Sequence, residues 1–235
     1  MTRAVVAVGF LALVGPLTAH ADPFAIQVLS ATCSTTVALT SVMMPEINQT
    51  ATTTGCQSSQ SLAVGDYWDE IDGPVVRASA SADYFATSVD SSAYYGARVS
   101  DSADSLLMFV PLTDGTALLG IDYFQMFYNT MSIALFDMTS QQMVWEQQWA
   151  RGGFVSGTLG SLPPIGSVVV PTAFSAAHEY ALHLYTDGNS NNDGTQASLQ
   201  VTGLVKVPEP STLLSLVTGL AGIGVFRRAR TRKLS

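Results

Sequence analysis

The sequence predicts an all-β protein, an antiparallel β-sandwich, and two observations lead to this prediction. Several segments alternate between apolar and polar residues, as strands with one buried face and one solvated face do. Turn-forming residues, mainly Gly, Pro and Asp, separate these segments roughly every ten to twenty residues. The pattern indicates about ten short strands, which is typical of a sandwich, with the jelly roll as one version of it.

The alternation is clearest in three segments. Val76, Ala78, Ala80, Ala82 and Tyr84 alternate with Arg, Ser and Asp, and the same period appears at 179–185 and 196–202. Apolar or β-branched runs predict further strands at 24–30, 36–43, 92–99, 105–110, 131–138, 143–149 and 167–174. Segment 117–129 fits either a strand or a short helix. The Thr- and Ser-rich stretch 50–61 predicts a loop with Cys56 near its middle.

Residues 1–21 have the features of a cleavable signal peptide. Arg3 supplies the positive n-region, 4–14 form an apolar stretch, and Ala19-His20-Ala21 places small residues at the two positions that signal peptidase recognises. The mature chain is therefore expected to start at Asp22. Residues 22–207 would form the β-sandwich domain.

Residues 208–235 have the features of a second targeting segment, at the C-terminal end. Pro208-Glu209-Pro210 precedes a largely apolar run at 211–226, and a basic cluster follows: Arg227, Arg228, Arg230, Arg232 and Lys233. As a helix the run would be about 24 Å long at ~1.5 Å per residue. Flanking arginines that extend towards the headgroups make such a short transmembrane helix workable. The basic cluster is expected to stay cytoplasmic, which places the preceding domain across the membrane.

This order of Pro-Glu-Pro triplet, apolar run and basic cluster resembles the PEP-CTERM sorting tail of Gram-negative bacteria. The resemblance implies processing by the membrane protease-transpeptidase exosortase, with the Pro208 to Pro210 triplet as the recognition motif. It further implies transient residence in the inner membrane, held by the C-terminal helix, and then delivery to the cell surface or the extracellular matrix. Because such tails occur mostly in bacteria that make exopolysaccharide, it favours a role in a biofilm.

The charge of the predicted domain excludes one class of partner. Between Asp22 and Val207 lie 17 acidic and four basic residues, which leaves a net charge of −13. Such a surface repels phosphate backbones, so nucleic-acid binding is not expected. It is compatible with divalent cations and with neutral polysaccharide. Cys33 and Cys56 are the only cysteines, and in an exported protein an even pair predicts a disulfide.

No catalytic motif stands out. His178 and His183 are five positions apart in a segment that alternates like a strand, whereas a zinc-protease helix needs histidines at i and i+4. Ser156 follows Gly153 by one position too many for a nucleophile elbow. We therefore expect no catalytic residues and no enzyme. Two carboxylates could still meet from distant strands, so a glycan-processing hydrolase stays open as an alternative.

Two groups of residues are candidate binding sites. Asp187, Asn189, Asn191 and Asp193 carry oxygen ligands at alternating positions, which suits a calcium loop; the same composition also suits a polar hairpin connection. Trp145 and Trp149 would share one face of a strand, and acidic residues surround Trp68. If exposed, these rings would form a glycan platform; if buried, they would be ordinary core aromatics.

The sequence thus predicts an exported, non-enzymatic surface or matrix protein with a structural or adhesive role among exopolysaccharides. A carbohydrate-binding module is the first alternative, and the hydrolase is the second. Calcium is the one cofactor that the sequence brings into consideration.

Overall fold

The computed structural model describes residues 24–41, 48–64, 76–93, 97–126, 129–150, 154–191 and 194–207. These residues form strands, turns and bends with no helix, so the predicted all-β class is confirmed. Within them no helix is long and apolar enough to cross a membrane. The predicted signal peptide and the predicted transmembrane helix at 211–226 lie outside the described residues.

The described residues form thirteen strands, and each strand is antiparallel to its neighbours. In chain order they are β1 (Ile26–Ser41), β2 (Asn48–Thr54), β3 (Ser58–Val64), β4 (Val76–Asp83), β5 (Ala86–Ser92), β6 (Ala97–Pro111), β7 (Gly115–Gln125), β8 (Asn129–Asp137), β9 (Gln142–Ala150), β10 (Phe154–Gly157), β11 (Ile165–Phe174), β12 (Tyr180–Asn191) and β13 (Gly194–Lys206).

The strands form two sheets that pack face to face. The seven-stranded sheet has the order β10-β9-β8-β12-β6-β1-β2, and the six-stranded sheet has the order β11-β7-β13-β5-β4-β3. Alternate residues of every central strand face the space between the sheets; on β8, for example, the odd-numbered positions from 129 to 137 are all buried. The arrangement is that of a sandwich, since two sheets with one apolar face each bury those faces against each other.

The strand bounds correct several expectations. Segments 24–30 and 36–43 are not two strands, because β1 runs through both as far as Ser41 with a bulge near Val28. The ambiguous segment 117–129 belongs mostly to β7, a strand. The expected loop at 50–61 is wrong: β2 and β3 occupy most of it. Threonine is β-branched and favours strands, and this outweighed the polar composition of the stretch.

The predicted disulfide between Cys33 and Cys56 is confirmed. Cys56 lies in the turn between β2 and β3, Cys33 lies in β1, and their Cα atoms are 4.8 Å apart. The turn is tight: Gly55 has a φ of 120° and Gln57 a φ of 69°. A glycine at the first of these positions avoids the strain that a side chain would cause there. The bond fixes the turn to the core, since Cys33 is itself buried.

The two ends of the sandwich interior differ in chemistry. At one end the rings of Phe24, Phe109, Phe174 and Tyr180 form an aromatic cluster, with centroids between 5.0 and 5.9 Å apart. At the opposite end, where β6 and β8 begin and β12 ends, several of the inward-facing residues are polar. Asp101, Asn129, Ser190 and Thr195 are all buried there.

Candidate functional site

The prediction of a glycan platform is wrong for Trp145 and Trp149, the two of its three tryptophans that the structure describes. Trp145 and Trp149 lie on the inner face of β9, with exposed fractions of 4% and 0%. The Trp145 indole N–H donates to the Thr172 hydroxyl at 3.0 Å, and the Trp149 ring packs against Tyr123 at 4.7 Å. Both rings therefore stabilise the core and cannot contact a glycan. Trp68 lies outside the described residues.

The segment that suited either a calcium loop or a polar hairpin connection is instead a strand as far as Asn191. Residues 187 to 191 continue strand β12 and pair with β6, and Asp187 and Gly188 pair with β8 as well. Asp187 accepts a hydrogen bond from the Thr130 N–H at 2.9 Å and another from the Tyr185 hydroxyl at 3.3 Å. The side chain of Asn191 and all of Asp193 lie outside the described residues. Calcium binding by Asp187 and Asn189 stays a prediction.

The two histidines each pair with a different carboxylate. His183 is on the outer face of β12, with Nε2 3.1 Å from Asp104 Oδ2, and this hydrogen bond raises the pKa of His183. His178 precedes β12, with Nδ1 2.7 Å from Asp137 Oδ2. Desolvation alone would raise the pKa of Asp137, but hydrogen bonds from the Ser140 backbone and from His178 lower it to about 2. Each pair therefore holds a turn or a sheet face together.

Among the described residues no group of three or more His, Cys, Asp and Glu side chains could hold a metal ion. A metal site in this part of the chain would need neutral oxygen ligands besides carboxylates. Amide and hydroxyl oxygens are the neutral ligands available for such a site.

The outer face of the six-stranded sheet contains a shallow groove of about 380 Å³. One row of residues crosses five strands through the groove, because the register aligns them as neighbours: Ile165, Phe124, Ser198, Ser88 and Ser81. Four inter-strand spacings of ~4.8 Å make this row about 19 Å long. The groove therefore suits an extended chain better than a small compact ligand.

The chemistry of the groove combines an apolar end with a polar floor. Ile165, which is 56% exposed, and the partly exposed ring of Phe124 form the apolar end. Ser81 and Ser88 hydroxyls lie 2.7 Å apart on the floor. A second row beside it adds Asp122 and Gln200, which are register partners. Small hydroxyl side chains keep the floor low, and one amide and one carboxylate supply directional hydrogen bonds.

The opposite outer face, on the seven-stranded sheet, is chemically different. Its central polar groups are hydrogen-bonded to one another: His183 to Asp104, and Tyr185 to Asp187. Burial, followed by the nearby Asp187 carboxylate, raises the pKa of Tyr185, which keeps it a neutral donor. These groups already have partners within the protein. Ser81 and Ser88 in the groove also bond to each other, but the groove adds the exposed side chains of Asp122 and Gln200 and an apolar end. It is therefore the stronger candidate for binding an external ligand.

Sequence reasoning missed the groove residues, since none of them belongs to a motif. Phe124 lies in the segment that fitted helix or strand equally well, and Ser81, Ser88 and Ser198 are ordinary outward positions of alternating strands. The one usable signal was composition: outward positions on β4, β5 and β13 are mostly serine and glutamine, with few long charged side chains.

Comparison with known families identifies the C-terminal segment. Residues 206–230 match the model of the PEP-CTERM protein-sorting motif. The chain carries a PEP-CTERM sorting motif. The resemblance seen in the sequence is therefore confirmed. The motif implies a secreted protein that exosortase processes, as is typical of Gram-negative bacteria. The match covers the tail and does not extend over the β domain.

Comparisons of the β domain give only weak likenesses. No curated protein matches the chain. The enzymatically active domain of bacteriophage CBA120 tailspike protein 4 is 9% identical with a TM-score of 0.25, over 74% of this chain and 19% of that domain. The family 11 carbohydrate-binding module of a Clostridium thermocellum cellulase is 9% identical with a TM-score of 0.23, over 65% and 84%. Likeness at this level establishes neither a shared fold nor a shared ligand.

Proposed function

We propose that this PEP-CTERM protein is a non-catalytic component of the cell surface or extracellular matrix, and that its β domain holds neutral exopolysaccharide. Before processing, the chain is held in the inner membrane by its C-terminal segment; exosortase then acts near Pro208-Glu209-Pro210. The groove on the outer face of the six-stranded sheet is the binding site. It is the observation on which this proposal rests.

Three properties of the groove support a neutral polysaccharide as the ligand. The row from Ile165 to Ser81 is about 19 Å long, which suits a polymer segment. Its hydroxyls, together with the Gln200 amide and the Asp122 carboxylate, can exchange hydrogen bonds with sugar hydroxyls. The partly exposed ring of Phe124 offers an apolar surface on which a sugar ring can pack. The acidic domain repels polyanions, so an uncharged glycan is favoured.

Binding should be measured by affinity electrophoresis of the full chain in gels that contain a neutral glucan or a carboxylated polysaccharide. We expect retardation by the neutral polymer and none by the carboxylated one. Phe124→Ala should weaken binding at least about fivefold, the loss of ~1 kcal/mol expected for an aromatic anchor. Gln200→Ala should weaken it by a smaller factor.

The matched control is Phe136→Ala, which removes a partly exposed phenylalanine from the outer face of the other sheet, on β8. Equal weakening by Phe124→Ala and Phe136→Ala would reject the groove as the site. The non-catalytic role has its own readout, because the chain length of the glucan should be unchanged after incubation with the protein. Shortened glucan would favour the hydrolase instead.

Sorting is tested separately. In cells of a strain that encodes exosortase, mass spectrometry of the exported protein should show loss of the segment after the Pro208 to Pro210 triplet. In an exosortase-deletion strain the full tail should remain, with the protein in the membrane fraction. A processed protein in the deletion strain would overturn the assignment of exosortase as the processing enzyme.

A further inference from the structure

The polar end of the sandwich interior contains two buried side chains without partners. The Asp101 carboxylate on β6 is 2% exposed and the Asn129 amide on β8 is 0% exposed. Within the described part of the chain, neither carboxylate oxygen of Asp101 and neither amide atom of Asn129 has a hydrogen-bond partner. Buried polar groups almost always find partners in folded proteins, so two unpaired groups at one place require an explanation.

The two side chains converge because a glycine separates them. Gly188 on β12 is the register partner of Asp101 on one side and of Asn129 on the other. A Cβ atom at Gly188 would collide with Asp101 Oδ1 and would lie 3.3 Å from Asn129 Oδ1. Both oxygens therefore point at the same small space above the glycine Cα atom. A side chain at position 188 would fill that space.

The electrostatic environment of this space is negative. The pKa of Asp101 is raised to about 7, mainly by burial and in smaller part by the carboxylates of Asp90 on β5 and Asp187 on β12. The nearby Ser91 hydroxyl, whose own hydrogen bond is to the Thr195 hydroxyl at 2.8 Å, lowers it. Arg98, the described basic residue nearest in sequence, is exposed on the outer side of β6. A cation in this space would relieve both the repulsion between the carboxylates and the missing hydrogen bonds.

The available ligands define the class of cation. Carboxylate, amide and hydroxyl oxygens are the hard ligands that Ca²⁺ prefers, and Ca²⁺ accepts an irregular arrangement completed by water. We propose that Asp101 and Asn129, with the Ser91 hydroxyl beside them, form a buried calcium site between the two sheets. The site lies near one end of the sandwich, because Asn129 is the first residue of β8 and Gly188 is three residues from the end of β12.

This site is distinct from the calcium ligands that the sequence suggested. The Asp187 side chain is on the outer face of β12, where it accepts bonds from Thr130 and Tyr185. Asp101 faces inward from the neighbouring strand. The site is also separate from the glycan groove, so either proposal can fail without the other.

The test uses the full chain, purified in mild detergent, treated with EDTA and titrated with CaCl₂. At a hundredfold excess over Kd, calcium should raise the Tm of the wild-type protein by roughly 5–10 °C. Asp101→Asn should abolish this rise, since it removes the charged ligand at constant size. Asp187→Asn is the matched control: it neutralises an outward carboxylate on the adjacent strand and should leave the rise intact.

Asn129→Asp provides a second, opposite test. A second carboxylate at the site should tighten calcium binding at least tenfold in calorimetric titration and should lower the Tm in EDTA. A wild-type Tm that calcium leaves unchanged would overturn the proposal. So would a calcium-dependent rise that persists in Asp101→Asn, or one that Asp187→Asn alone removes, because calcium would then bind at the outer face.

Discussion

Replacing Asp101 by asparagine, in EDTA and without calcium, should change how the stability of the protein depends on pH. The substitution keeps the size of a side chain that is almost completely buried, and it removes the ionisable group. The amide is neutral at every pH, whereas the carboxyl must either keep a proton or carry an unpaired charge between the sheets. The effect is thus expected in the free energy of unfolding and not in the fold itself.

The size of the effect follows from the pKa of Asp101. Burial is the main cause that raises it, from 3.8 to about 7 in the folded chain. A group whose folded pKa exceeds its unfolded pKa stabilises the fold fully below the unfolded value and loses that contribution as the pH rises through the folded value. The interval between 3.8 and about 7 corresponds to about 4 kcal/mol. Wild-type protein should therefore lose about this much from Asp101 between pH 4 and pH 7.

Urea denaturation at pH 4, 5.5 and 7, followed by tryptophan fluorescence, measures the difference. At pH 4 the two proteins should have similar free energies of unfolding. At pH 7 the free energy of unfolding of the variant should exceed that of the wild type by about 4 kcal/mol. Asp90→Asn removes an outward carboxylate on β5 and should retain most of the wild-type dependence. Parallel curves for wild-type and Asp101→Asn across this range would show that the Asp101 carboxyl is solvated in the folded protein, which would refute the reasoning.

Two further predictions concern other parts of the domain. Replacing Cys33 and Cys56 by serine opens a loop with a sequence separation of 23 and should cost about 3 kcal/mol, seen as a lower urea midpoint; an unchanged midpoint would show that the turn needs no cross-link. Asp137→Asn should reduce the loss of Tm on acidification, because the pKa of Asp137 is lowered to about 2 and its contribution is present above 3.8 and lost as the pH falls through 2. A Tm that falls as steeply in the variant would assign the acid sensitivity to other carboxylates.

Much of the fold was predictable where alternation and composition agree. In β4, Ala78, Ala80 and Ala82 are buried and alternate with Ser and Asp, as the sequence indicated. Prediction failed at β2 and β3, where the stretch 50–61 is mostly Thr, Ser and Gln. That stretch has no apolar period, and the place of the two strands is set by pairing with β1 and β4 at the edges of the sheets. Pairing of that kind is a property of the whole fold and is not visible locally.

The candidate sites were harder to predict, because alternation separates the two faces of a strand without saying which face is inside. Trp145 and Trp149 were correctly predicted to share one face of a strand. The polar residues Glu146 and Gln148 occupy the opposite, exposed face, which indicates that the tryptophan face is the buried one. Asp101 illustrates the opposite case. It follows Val99 and precedes Ala103 at a spacing of two residues, so the period that buries those residues buries the carboxylate as well.

Protons and calcium would compete for the same carboxylate, and this competition separates the buried site from any site on the surface. A cation at Asp101 must displace the proton that the raised pKa holds there, so one proton should be released for each calcium bound below about pH 7. The apparent Kd should then rise about tenfold for each pH unit below 7, since one proton opposes one cation. Calorimetric titration in two buffers of different ionisation enthalpy counts the released protons directly. Calcium binding without proton release at pH 6 would therefore place the cation outside the sandwich interior, even if the Tm rises as expected.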